Sequence, residues 1–334
     1  MTPAPISSRS RRDPYQPFRS RALAPERIRE LSRLTPRRAL TDAAIAWIWI
    51  VAAWLAAAYF DSWWAVAAAI PVIGNRYYAL YILGHDGLHR RLFDDFATND
   101  LVCDLLVLAP IGSITRINNR NHLLHHQHLA NENDPDRHKH GCFNKVTRLE
   151  LAGYLTAVTS ALRSLRNVLA PPPGGSGATD DLARSGSYRP RDIGILLGTQ
   201  LVLCATLSLL FGWWGYLLLW WVPVFLFTFL PDNLRAFVEH SHPESDERAD
   251  EHRLITHLPN PLERALLAPM NMNYHAAHHL WPSIPYYNLP AADAELQKAS
   301  VSDALAWRRS YLGYLWSYAL KQPIEECRKA TTSA

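Results

Sequence analysis

The chain has 334 residues, 49% of them apolar and 19% charged, and a formal net charge of +4. That composition excludes a disordered or collagen-like chain, and four cysteines (Cys103, Cys142, Cys204, Cys327) without C-x-x-C spacing exclude a disulfide scaffold or a zinc ribbon. A reducing cytosolic face is the default. Much of the positive charge lies in an arginine-rich arm over residues 1–40, from Arg9 to Arg38. Topology-setting cytoplasmic charge explains that arm more simply than nucleic-acid binding does.

A mean hydropathy of only −0.12 conceals a partition: no Lys or Arg occurs between Arg38 and Arg76, or between Arg191 and Arg235. A spanning helix needs about 20 mainly apolar residues, because the hydrocarbon core is about 30 Å thick and a helix rises about 1.5 Å per residue. The first window predicts spans at about 41–60 and 63–83, turning at Asp61 and Ser62, with Arg76 snorkelling to the interface near the cytosolic end. The second predicts spans at about 193–211 and 214–230, turning between Gly212 and Gly215. Trp63 and Trp64 at one turn, and Trp213 and Trp214 at the other, suit an interfacial belt.

These runs predict an all-α, multi-pass membrane protein with four transmembrane helices in two hairpins. Both termini and the segment 85–191 then lie together, by the positive-inside rule on the cytoplasmic face of the cell's inner membrane. The membrane domain covers 41–290, and a helical cytosolic tail 291–334. No cleavable signal peptide is expected in the first 30 residues. Leu101 to Ile114 is too short to span and contains Asp104 and Pro110, which predicts a re-entrant or buried helix. Leu151, Leu155, Val158, Leu162, Leu165 and Leu169 recur at helical spacing, as in a helix on the bilayer surface or one packed in a cap. Pro171 to Ala178 reads as a flexible linker.

Fifteen histidines are present, and none lies inside an apolar run. His85 and His89 form H-x-x-x-H directly after the second span. His122, His125 and His126 form H-x-x-H-H, and His275, His278 and His279 repeat it. Residues at i, i+3 and i+4 share a helical face, so each box aims two or three ring nitrogens at one point. Eight imidazoles are more than a single tetrahedral zinc uses. His128, His138, His140, His242, His252 and His257 lack this geometry and read as solvated or supporting residues.

At these residues the chain resembles the integral-membrane fatty acid desaturase superfamily, which includes related hydroxylases and carotenoid ketolases. The resemblance rests on HDGLH (85–89), NHLLHHQHL followed by DPD (121–136), and NYHAAHHLWPSIPYYNLP (273–290). It implies that the three boxes hold two non-haem iron ions (Fe2+), with O2 as co-substrate, and that a ninth histidine after the fourth span completes the site. That position matches His240 in LRAFVEH, with His242 the runner-up; on one continuous helix the two point about 200° apart, so only one can face the metal. Breaking an unactivated C–H bond requires a redox metal, and imidazole is a suitable ligand for iron. Asp86, Asp134 and Asp136 are placed to orient ligand imidazoles, although Asp134-Pro135-Asp136 is equally good turn chemistry.

The implied substrate is an acyl chain of a fatty acid or lipid, a reading the downstream LWPSIPYYNLP favours. A hydroxylase, ketolase or small-molecule desaturase is the alternative on the same scaffold. No dinucleotide fingerprint, haem-attachment motif or Fe–S spacing is present, so electrons are expected from a separate ferredoxin-like protein. A His-rich metal transporter would want polar ligands near the midplane of its spans, and these spans show almost none.

Overall fold

The computed structural model describes residues 19, 21–129, 134–136, 148–156, 188–240, 254–299 and 305–320. A short helix, α1 (Pro25–Leu31), precedes α2 (Pro36–Phe60), which opens on a proline whose fixed φ and missing N–H suit a first helical position. Asp61 ends α2 in the left-handed region, at φ 40°. Ser62 then caps α3 (Trp63–Leu88) by accepting from the Ala65 N–H at 3.3 Å. At about 1.5 Å per residue the 26 residues of α3 span about 39 Å, more than a bilayer core of about 30 Å. The helix therefore outruns the expected end near 83, and its last turn carries His85. Midway along α3, Asn75 donates to the Ala265 carbonyl at 2.8 Å, which ties the helix to the segment before the third box.

The segment expected to be re-entrant or buried forms α4 (Phe96–Cys103), a π turn over Asp104–Leu108 and a 3-10 turn over Ala109–Ile111. It packs against α3 through two glycines. A Cβ on Gly84 would lie 2.6 Å from Val107 Cγ1, and one on Gly87 only 2.4 Å from Cys103 Sγ. Glycine within HDGLH thus sets how closely α4 approaches the first box. Asn99 holds the join, donating to the Gly87 carbonyl at 2.9 Å and accepting from the Leu92 N–H at 3.0 Å.

Next come α5 (Thr115–His128), carrying the second box, and α6 (Arg148–Leu155). Leu151 and Tyr154 of α6 pack against Phe237, so this part of the expected amphipathic helix belongs to a cap. Val158 to Leu169, the linker, the arm before residue 19, and Cys142 and Cys327 lie outside the described residues. The next long helix, α7 (Pro190–Phe211), is tied to α5 by Arg116 and Asp192 at 2.5 Å. It leads into α8 (Leu217–His240), where π turns over Leu217–Trp221 and Phe225–Phe229 flank Pro223, a residue with no N–H to donate.

These long helices α2, α3, α7 and α8 are the four among the described residues that are long and apolar enough to cross a membrane. Large apolar side chains stand exposed along them, including Ile48, Leu55, Leu201 and Leu209, with Trp64 and Trp213 at the turns. Such a surface is what lipid would cover. Between the helices an aromatic cluster satisfies its own polar atoms: Trp47 stacks on Trp220 at 5.9 Å, and their indole N–H groups donate to the Leu106 and Pro110 carbonyls.

The cap departs from the all-helical expectation. Strand β1 (Ile255–His257) pairs in parallel with β2 (Ala306–Arg308), in the register Ile255↔Ala306, Thr256↔Trp307 and His257↔Arg308. Three-residue strands are too short to show a period-2 pattern in sequence, and β2 interrupts the tail expected to be helical. Around this ladder lie α9 (Pro261–Leu267), α10 (His275–Leu280), α11 (Leu289–Leu296) and α12 (Tyr311–Ala319). The first helix closes over them: Arg27 pairs with Glu295 at 2.7 Å, and Asn288 donates to the Leu31 carbonyl.

Candidate metal centre

The protruding ends of α3 and α8 meet α5 and α10, and all nine histidines expected at the site gather there. His85, His89, His122, His126 and His278 each place one ring nitrogen within 4.8 Å of the others, and His125, His240 and His279 form a second such group. His275 joins the second, its Nε2 3.0 Å from that of His240. In the first group the Nε2 of His122 lies 2.8 Å from that of His89 and 3.2 Å from that of His126, whose Nε2 is in turn 3.2 Å from that of His278. Helical periodicity explains the convergence within each box. The packing of four separate elements explains it between boxes.

The donor set fits metal. Lone pairs of neutral imidazoles brought this close repel unless a proton or a cation lies between them, and one divalent ion satisfies several at once. Burial holds His89, His126, His275, His278 and His279 below the ordinary imidazole range, with nearby imidazoles and arginines pushing the same way. Neutral imidazole is the form that ligates. All-nitrogen donors in two adjacent groups suit a pair of late first-row ions, iron included, and not magnesium or calcium.

Two carboxylates stand beside imidazole Nδ1 atoms of the site. Both Asp134 oxygens lie against His125 Nδ1, at 3.0 and 3.1 Å, which turns Nε2 toward the group. Asp136 supports this through its backbone, donating its N–H to Asp134 Oδ1 at 2.8 Å. Asp86, expected to orient an imidazole, instead accepts the Tyr286 N–H at 2.7 Å and so ties the first box to the segment after the third. The second carboxylate is Glu239, fully buried, with one oxygen 3.4 Å from His275 Nδ1, a close approach without a hydrogen bond. It accepts from Arg235 at 2.6 Å and from the Tyr311 hydroxyl at 2.8 Å, and Arg235 also pairs with Asp232 at 2.9 Å.

Arg235, Glu239 and Tyr311 were not among the expected site residues. The available signal was three charged residues, Asp232, Arg235 and Glu239, at helical spacing in the last turns of an apolar span, where ionisable groups are costly unless used. His240 ends α8 inside the second group, whereas His242, like His138, His140 and His252, lies outside the described residues. His128 belongs to neither group. His257 is not solvated: it is fully buried and stacked on Tyr311 at 4.1 Å.

Beside the histidines opens a cavity of about 450 Å3, formed by the ends of α3, α5 and α8, the turn at Leu108 to Ser113, and α10. Its lining combines apolar side chains, Ile82, Leu108, Ile111 and Phe229 among them, with polar ones, Asn118, Asn121, Asp136, Asp232 and Arg235.

Four helices long and apolar enough to cross a bilayer, with imidazoles gathered in two groups beyond the apolar runs, describe a membrane protein with a candidate metal centre. The family model "Fatty acid desaturase" matches residues 61–311, and the chain belongs to that family. Among curated proteins it is 28% identical to dihydrorhizobitoxine desaturase of Bradyrhizobium elkanii over 283 residues, which cover 79% of this chain and 77% of the relative. It is 26% identical to a chloroplastic omega-3 fatty acid desaturase of Glycine max over 71% of this chain and 55% of the relative. It is also 36% identical to a ceramide hydroxylase of Caulobacter vibrioides, over 26% of each. The matched stretch thus spans little more than half of the plant enzyme and about a quarter of the hydroxylase.

Proposed function

We propose that this desaturase-type oxidoreductase is an O2-dependent di-iron enzyme that introduces a double bond into an acyl-bearing substrate. In this reading it sits in the inner membrane as two helical hairpins, with both termini and the histidines on the cytoplasmic side. The observation that carries it is the gathering of nine imidazoles into two adjacent groups. His85, His89, His122, His126 and His278 would hold one iron, and His125, His240, His275 and His279 the other. Bound there, the iron pair supplies the activation of O2 and the oxidising power for C–H cleavage.

The chain's own residues supply the rest. Asp134 and Glu239 fix His125 and His275 by hydrogen bonding or close approach at Nδ1, leaving each Nε2 to ligate. The cavity holds the substrate against the histidines, and its apolar side chains take the hydrocarbon. Two C–H bonds break and one C=C forms; with two external electrons and two protons, O2 leaves as two waters. A separate ferredoxin-like carrier supplies the electrons. Hydroxylation is the second reading, favoured by the hydroxylase among the relatives, and it differs in returning one oxygen atom to the substrate.

The test is elemental analysis and turnover on purified protein. Two irons per chain and O2-dependent formation of an alkene are expected, with activity lost, and the protein still in the membrane, when any of His122, His125, His126, His275, His278 or His279 becomes Ala. Turnover retained in two or more of these variants refutes the ligand set, and one added oxygen atom in the product selects hydroxylation.

A further inference from the structure

The cavity beside the histidines is not lined as a hydrocarbon tunnel would be. Asn121 immediately precedes the ligand candidate His122, and its amide makes no hydrogen bond to any described residue. Asn118 lies four residues before His122, about 6 Å along the axis of α5. It donates to Ser113 Oγ at 2.6 Å and to the Ile114 carbonyl at 2.8 Å, which leaves its own carbonyl oxygen to the cavity. Asp232 and Arg235 line the same cavity from α8.

Arg235 is the one guanidinium among the described lining residues, and it is engaged by Asp232 at 2.9 Å and Glu239 at 2.6 Å. With that cation already paired, the oxygens of Asn118, Asn121 and Asp232 give the lining a surplus of acceptors. A methylene chain laid along it would strip water from Asn121, Asn118 and Asp232 and return no hydrogen bond, at a cost of roughly tenfold or more in affinity for each group left unpaired. A head group that donates hydrogen bonds removes that cost. The apolar residues Ile82, Leu108, Ile111 and Phe229 then receive the carbons beyond the head.

We infer that the substrate is an amphiphile with a hydrogen-bond-donating head, an amine or a hydroxyl, bound by Asn118, Asn121 and Asp232. The carbons that react are then the first few beyond the head and not those in mid-chain. The inference rests on the oxidase reading only in placing the reaction at the histidines; the head-group preference is a binding property and is measured without turnover.

The experiment compares two saturated probes, 2-aminotetradecan-1-ol and methyl tetradecanoate, by calorimetry on the iron-loaded, detergent-solubilised protein without oxygen. The amino alcohol should bind at least tenfold more tightly. Asn121→Leu should cut that ratio about fivefold or more, and Asp232→Asn, which keeps the side chain's shape, should lower it also. Equal or tighter binding of the ester, no binding of either probe, or a ratio unchanged in both variants overturns the inference. In a second arm, O2 and a reduced ferredoxin are added and the product is located by tandem mass spectrometry. Oxidation close to the head supports the inference, and oxidation in mid-chain overturns it while leaving the oxidase reading intact. A retained binding preference with no turnover of either probe leaves the head-group assignment standing and counts against the oxidase reading.

Discussion

Glu239→Gln should loosen the metal centre without dismantling the membrane fold. The carboxylate is fully buried and accepts two hydrogen bonds, from Arg235 at 2.6 Å and the Tyr311 hydroxyl at 2.8 Å, while one oxygen faces His275 Nδ1 at 3.4 Å. Glutamine keeps the volume but has a single acceptor oxygen, so one donor is left facing an NH2 group and Arg235 loses one of its two counter-charges. Removing one member of a buried ion pair costs about 3–5 kcal/mol. Arg235 retains Asp232 at 2.9 Å, which puts the expected loss of stability near the lower end, about 3 kcal/mol. His275 loses the charge that orients it, an effect worth about 10–100-fold in metal affinity. The assay is iron retained against a graded chelator, read by elemental analysis beside a thermal unfolding curve. Tyr311→Phe is the control: it removes one hydrogen bond, about 1 kcal/mol, and no charge. Iron held as tightly by Glu239→Gln as by the native chain refutes the orienting role, and equal metal loss in Tyr311→Phe would assign the effect to packing.

Gly87→Ala should lower the unfolding midpoint by the equivalent of about 1–3 kcal/mol, because its Cβ would lie 2.4 Å from Cys103 Sγ; Gly198→Ala, with nothing within 4 Å, is the control, and equal midpoints refute the close approach of α4. Burial and the nearby Arg308 hold the His257 imidazole below its ordinary range, so below about pH 6.5 the unfolded chain takes up a proton that the folded chain refuses, and stability falls with pH. His257→Phe, which keeps the stack on Tyr311, should therefore gain stability relative to the native chain between pH 7 and pH 5, and parallel pH profiles would disprove this. For the proposed topology, cysteines placed at Asp61 and Trp213 should react with an impermeant reagent in spheroplasts and one at Lys298 only after lysis; labelling of Lys298 in intact spheroplasts would reverse the arrangement.

Much of the architecture is legible in the sequence because two simple signals dominate it. Windows free of Lys and Arg mark four apolar helices, since charge is what a bilayer core rejects most strongly. The H-x-x-H-H boxes announce themselves because i, i+3 and i+4 is the spacing of one helical face. Both signals are local, so they survive without knowledge of the fold. The boundaries were less legible: α3 and α8 continue to Leu88 and His240, beyond the ends near 83 and 230 that hydropathy suggests, because a helix does not stop where its lipid-facing surface stops.

What the sequence hides is whatever depends on which elements meet. Asp86 sits inside the first box and looks like a partner for its histidines, yet its carboxylate reaches 200 positions along the chain to the Tyr286 N–H. Tyr311 lies 71 residues beyond His240, past the third box, and still supports Glu239. The β1–β2 ladder is long-range in the same sense, since three-residue strands carry no period of their own. The polar wall at Asn118, Asn121 and Asp232 has the same origin: on α5 the asparagines read as ordinary polar residues of a surface helix, and only the approach of α8 turns them toward a shared cavity. Local periodicity therefore reveals the clustered histidines, whereas the groups proposed to orient them and to select the substrate arise from contacts between elements. The family match over residues 61–311 accordingly gives a desaturase-type oxidoreductase and leaves the substrate to be sought in the cavity.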